Sequence, residues 1–184
     1  MIIKKICIIW SLAALAAPFY AQSAAPAAPK TDEAAPTIVY NEDFAKGEEL
    51  FQLNKPEDAI PLFEAALTAS GVDPAIYVYL GVAYYQIKEY QKSLDICVTG
   101  LAKPGSDRTV LAFNAGNSAY AMGNYARADA CYAIALKNDE NYAPAYLNRA
   151  NAQLKQDHLE DARQNYETFI TRAPEDPQVP QIQT

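Results

Sequence analysis

The chain has 184 residues with 15 basic and 22 acidic side chains, and this negative balance excludes the basic stripe of a nucleic-acid-binding domain. Apolar residues make up 51% of the chain and glycines number only 7, which favours a helical core over a turn-rich β architecture. Three cysteines without a C-x-x-C pair exclude a disulfide scaffold and a zinc or redox motif of that kind.

In chain order, the first feature is a short basic stretch over Met1–Lys5, followed by an apolar run from Ile6 to Ala17. Small residues at Ala21-Gln22-Ser23 complete the pattern of a cleavable export signal over residues 1–23. The run is shorter than the ~20 residues a membrane-spanning helix needs, which favours removal over anchoring. The expected location is periplasmic or secreted, with an inner-membrane anchor as the alternative. Residues 24–39 begin "AAPAAPKTDEAAPT". Repeated alanine and proline cannot bury a core, so this segment is expected to be a flexible linker.

Residues 40–176 repeat themselves. Gly47, Gly81, Gly116 and Ala150 lie 34, 35 and 34 residues apart, and Ala59, Ser93, Ala128 and Ala162 follow at the same intervals, twelve residues later. Two rows of small residues in one phase define four units, 40–73, 74–108, 109–142 and 143–176. Apolar residues in each unit fall at helical spacing in two runs. They predict helices over 41–53, 56–69, 74–87, 90–102, 108–121, 125–137, 143–155 and 159–172. Pro56 and Pro74 suit a first helical position, whereas Pro61 lies inside the second predicted helix. There it must kink the helix or remove a hydrogen bond without ending it. Small residues belong where two antiparallel helices cross closely. The prolines of "PEDPQVPQIQT" end the last helix, so residues 177–184 are expected to be a disordered tail and the last helix to cap the stack by itself.

Five tyrosines in "YVYLGVAYYQIKEY" (77–90) test this reading. Tyr77, Tyr84 and Tyr90 fall on helix-interface positions, where a ring fills the space opposite a small residue. Tyr79 and Tyr85 lie off that stripe and are candidates for a functional surface.

The pattern resembles the tetratricopeptide repeat, W-x2-L-G-x2-Y followed by A-x3-F and a closing proline. Tyr77-x2-Leu80-Gly81-x2-Tyr84 matches its first half with Tyr for Trp. Ala59-x3-Phe63, Ala128-x3-Tyr132 and Ala162-x3-Tyr166 match its second, "GNYARA" (123–128) resembles its inter-helix turn, and Pro174 closes the fourth unit. Cys97 stands where the family has Phe, and Gly100 and Phe169 differ in size from Ala66 and Ala135. The resemblance implies an all-α fold, a right-handed α-solenoid of four helix-turn-helix repeats. It also implies a concave groove lined by the first helix of each unit. Carried onto this sequence, the partner-binding face comprises Phe44, Glu48, Val82, Tyr85 and Asn114. It continues through Asn117, Tyr120, Asn148, Asn151 and Lys155. Asparagine is a mediocre helix former, and an amide carries the donors and acceptor that suit a bound peptide main chain. Asn117 and Asn151 are therefore expected to be accessible, with alanine substitutions nearly neutral for stability. Basic residues that would grip a terminal carboxylate are missing from this face except at Lys155.

His158 is the only histidine, placed among charged neighbours in a turn, and no acidic pair has ligand spacing for calcium or zinc. No catalytic residue, metal or cofactor is expected. Cys97 and Cys131 read as small buried hydrophobes in adjacent second helices, too far apart to bridge. The function that follows is a non-catalytic protein-protein interaction module or scaffold in the bacterial cell envelope, binding a peptide segment or helix of another protein. The alternative is an accessory protein that binds a small apolar ligand in a tyrosine-rich groove.

Overall fold

The computed structural model describes residues 39–182. The expected export signal (1–23) and the expected linker up to residue 38 lie outside the described residues. Within them the helices are α1 (Glu42–Gln52), α2 (Pro56–Ala66), α3 (Ile76–Gln86), α4 (Tyr90–Leu101), α5 (Arg108–Ala121), α6 (Tyr125–Asn138), α7 (Ala143–Leu154), α8 (Leu159–Arg172) and α9 (Val179–Ile182). No strand occurs among the described residues, and the first eight helices match the predicted ones closely. Consecutive helices pack as antiparallel pairs that stack into a right-handed solenoid.

Local chemistry sets the helix starts. The side chain of Asn41 accepts from the Phe44 N–H at 2.9 Å, Asp107 from Val110 at 3.0 Å and Asn124 from Arg127 at 3.1 Å, each satisfying an amide that has no partner within the helix. α3 begins two residues later than predicted. Asp73 draws the Ala75 N–H to its carboxylate at 2.8 Å, and Ile76 bonds back to the Asp73 carbonyl at 3.0 Å. These short-range bonds hold 73–75 in a turn ahead of the helix. α2 continues through Pro61, which is exposed. Proline has no N–H to give the Glu57 carbonyl, but solvent reaches that exposed residue.

The turn inside each pair repeats one backbone feature. Asn54, Lys88, Gly123 and Asp157 take φ values of 56°, 65°, 77° and 60°, and they recur at 34, 35 and 34 residues. A left-handed residue directs the chain from a first helix into its antiparallel partner. Only one unit uses glycine there.

The close crossing forms the core of each pair. A Cβ on Gly47 would come within 2.6 Å of the Phe63 ring, one on Gly81 within 2.5 Å of Cys97 Sγ, and one on Gly116 within 2.4 Å of the Tyr132 ring. The second row also packs tightly. Ser93 is fully buried, and its hydroxyl donates to the Gly81 carbonyl at 2.7 Å while lying 2.7 Å from the Ser118 hydroxyl. At the N-terminal end, the rings of Phe44, Phe51, Phe63 and Tyr79 form one cluster with centroids 5.5–6.5 Å apart. Tyr79, off the predicted stripe, is thus a core residue. The reason is that α3 packs against α1 as well as against its own partner helix.

The C-terminal tail corrects the expectation of disorder. α8 does end at Arg172, but Asp176 accepts from the Gln178 N–H at 2.8 Å and opens the helical turn α9. Pro180 is tolerated because amides of a first turn have no intrahelical acceptor. Val179 is buried with Leu147 and Phe169, so α9, and not α8 alone, closes the stack.

Two predictions follow from this packing. Gly123→Ala should lower stability by ~1–2 kcal/mol through backbone strain alone, since nothing lies within 4 Å of the added Cβ. Lys88→Gly should raise it by ~0.5–1 kcal/mol, the relief of strain less the added freedom of the unfolded chain. Urea unfolding midpoints check both. Cys97 and Cys131 are free and buried, and burial pushes the Cys97 thiol up to about 12. Peptide mapping after iodoacetamide treatment at pH 8 should find both unmodified in the native protein and both modified in urea.

Candidate binding groove

The first helices α1, α3, α5 and α7 each touch their counterpart one unit on, more closely than the second helices do. The array therefore curves toward the first helices, which form its concave side. The small-residue crossings allow this, because they draw each second helix against the back of its first helix.

Four equivalent positions, Glu48, Val82, Asn117 and Asn151, line this surface, each facing the residue fifteen positions later. Those later residues are Phe63, Cys97, Tyr132 and Tyr166. Where the later residue carries a hydroxyl, the groove residue is asparagine. Tyr132 donates to Asn117 Oδ1 at 2.9 Å, and Tyr166 donates to Asn151 Oδ1 at 2.6 Å. A buried phenol needs an acceptor, and the first helix supplies it. Burial holds the Tyr132 hydroxyl well above its usual range and the Tyr166 hydroxyl up to about 12, so both remain donors. Asn148 Nδ2 donates to the same Asn117 oxygen at 2.9 Å, tying α7 to α5.

The ten predicted site residues divide on this evidence of packing. Tyr85, Tyr120, Val82, Glu48, Asn148 and Asn151 are half-buried along the concave side, and Lys155 is exposed at the end of α7. Phe44 belongs to the N-terminal aromatic cluster. Asn114 and Asn117 are 9% and 8% exposed. The expectation that Asn117 is an accessible, stability-neutral residue is therefore wrong: its oxygen accepts two side-chain hydrogen bonds in the interior. Tyr132 and Tyr166, which set the asparagine orientations, were assigned only to packing. Their signal was present in the sequence, since asparagine appears in the two units whose second helix carries tyrosine.

The opposite face of α7 is locked by a separate polar set. Asp129 Oδ1 accepts from Arg149 Nε at 2.8 Å and from Gln153 Nε2 at 3.0 Å, and Asn165 Nδ2 reaches Gln153 Oε1 at 2.8 Å. These bonds fix α7 between α6 and α8 and so hold the groove surface of α7 in place.

The tetratricopeptide-repeat family profile matches residues 44–101 and 113–178, and the chain belongs to that family. No curated protein sequence matches it. Among solved structures, YrrB, described as a TPR protein with an unusual peptide-binding site, superposes with a TM-score of 0.68 at 18% identity, over 77% of this chain and 72% of that one. MamA from Desulfovibrio magneticus RS-1 gives 0.67 at 15% identity, over 75% and 80%. The second TPR domain of human RPAP3, in complex with an HSP70 peptide, gives 0.55 at 22% identity, over 60% and 96%. At these identities the likeness is one of fold.

Asn117→Ala should cost ~1–3 kcal/mol, because the Tyr132 hydroxyl loses its buried acceptor. Tyr132→Phe made in that background should recover part of the loss, since it removes the stranded group. Thermal unfolding of the two variants checks this.

Proposed function

We propose that this chain is a non-catalytic interaction module of the bacterial cell envelope that holds a segment of another protein in its concave groove. One observation carries the reading: the tyrosine hydroxyls pin the carbonyl ends of the Asn117 and Asn151 amides. Asn117 is enclosed in the interior, so the NH2 group of the half-buried Asn151 is the donor left to the main-chain carbonyls of an extended segment. The groove offers little charge beyond Glu48 and Lys155, which suits an internal segment better than a chain terminus. The solved complex of RPAP3 with a peptide supports a protein partner for a fold of this kind. The envelope location rests on the export-signal pattern over residues 1–23, with the inner-membrane anchor as its variant.

Asn151 is the residue on which to test this, because it is half-buried and accepts one hydrogen bond. With a peptide selected from a displayed library against the wild-type chain, Asn151→Ala should weaken binding about five- to tenfold, the loss of one buried hydrogen bond. Its unfolding midpoint should shift far less than that of Asn117→Ala. Unchanged affinity for every selected peptide overturns the reading.

A further inference from the structure

The repeat breaks its own pattern at one place. Ile60, Leu80, Tyr84 and Ile96 lie together in the core where the first two units meet. One unit on, the same four positions carry Leu94, Ala115, Ala119 and Cys131, all buried. Where the third and fourth units meet they carry Asp129, Arg149, Gln153 and Asn165. Four core positions on α6, α7 and α8 have turned polar together, and a chain departs from its own pattern chiefly at functional or strained sites. These groups are only partly used by one another. Asp129 Oδ1 accepts from Arg149 and Gln153, and Gln153 Oε1 accepts from Asn165. Asp129 Oδ2 and both terminal nitrogens of Arg149 bond to no described residue, although the two side chains are only 27% and 30% exposed. Apolar residues close the other two junctions, so packing by itself does not call for them.

The four polar residues line a cavity of about 430 Å3, together with Tyr146 of α7 and Gln164 and Thr168 of α8. This is the size of a small-molecule site. The chemistry of its wall selects among ligands. Arg149 is bonded to Asp129, and Asp161 also lines the cavity, so an anion would meet two carboxylates and a cation would meet the guanidinium. An apolar ligand would strip water from amides and charges without replacing their hydrogen bonds. A peptide segment needs recesses for its side chains, and apart from the Tyr146 ring the wall is polar. A neutral polyol meets every condition. Each hydroxyl both donates and accepts at one atom. Neighbouring hydroxyls can therefore take the Arg149 N–H groups while donating to Asp129 Oδ2 and to the Gln164 amide.

We propose that the cavity between α6, α7 and α8 binds a neutral saccharide, held by Asp129, Arg149 and Gln164. It lies on the face of α7 opposite the groove and is independent of the groove reading.

An NMR titration of the labelled full chain tests it, with maltotriose and triacetylchitotriose as neutral probes and acetate as a charged one. The side-chain amide of Gln153 and the backbone amides of 164–168 should shift saturably with at least one trisaccharide by about 10 mM, a concentration that suits a few hydrogen bonds. Acetate should leave them in place. Asp129→Ile/Arg149→Leu installs the Ile60 and Leu80 of the first junction, and it should abolish binding. Circular dichroism should show it folded, since an apolar replacement of a buried ion pair is often neutral or stabilising. Gln164→Ala, on the exposed surface of α8, should weaken binding about threefold, which keeps the assignment testable if the double variant misfolds. Asn151→Ala should leave saccharide binding unchanged, which separates this site from the groove. No saturable shift with either trisaccharide, or a shift with acetate alone, overturns the saccharide inference. Binding unaltered in both cavity variants overturns its assignment to this cavity.

Discussion

The structure depends on one close approach, made four times: a small residue on each first helix against a side chain sixteen positions later on its partner. Gly47, Gly81 and Gly116 leave no room for a Cβ beside Phe63, Cys97 and Tyr132. A buried ring placed directly on backbone gains contact over its whole face, and the two helices are locked in angle and register. In the fourth unit Ala150 replaces glycine and Tyr166 is only half-buried. In that unit α9 packs onto Leu147 and Phe169 from outside.

The identity of the crossing residue carries through to the concave surface. Phenylalanine and cysteine ask nothing of the groove, and the positions above them are Glu48 and Val82. Tyrosine brings a hydroxyl that cannot be left unpaired in the interior, so Asn117 and Asn151 appear above Tyr132 and Tyr166. The polar character of the central and C-terminal groove is thus a consequence of core chemistry. Because the phenols hold their protons, the amide orientation is set by the fold.

The two ends of the array are closed by different means. At the N-terminal end four aromatic rings from α1, α2 and α3 pack on one another. At the C-terminal end Phe169 stands where earlier second helices carry Ala66, Gly100 and Ala135. A small residue at that position leaves room for the next unit, as Gly100 does for Leu111 of α5, with Tyr77 of its own unit against the same backbone. A phenylalanine there packs instead with Leu147 and Val179.

Sequence periodicity by itself determined the helices and the family, because a 34-residue spacing of small residues has few physical solutions other than stacked helix pairs. It also separated Tyr84, a core residue, from Tyr85, which is only half-buried. Helical spacing alone could not say how deeply the concave face is buried. Asn117 and Asn151 occupy equivalent positions in the sequence, yet one is enclosed between α6 of its own unit and α7 of the next, and the other lies in the last unit. Burial depends on which neighbours curve over a residue, and those neighbours lie a full unit away. The tail shows the same limit: its prolines correctly ended α8, but only the apolar gap left beside Leu147 and Phe169 decided that Val179 would return to fill it.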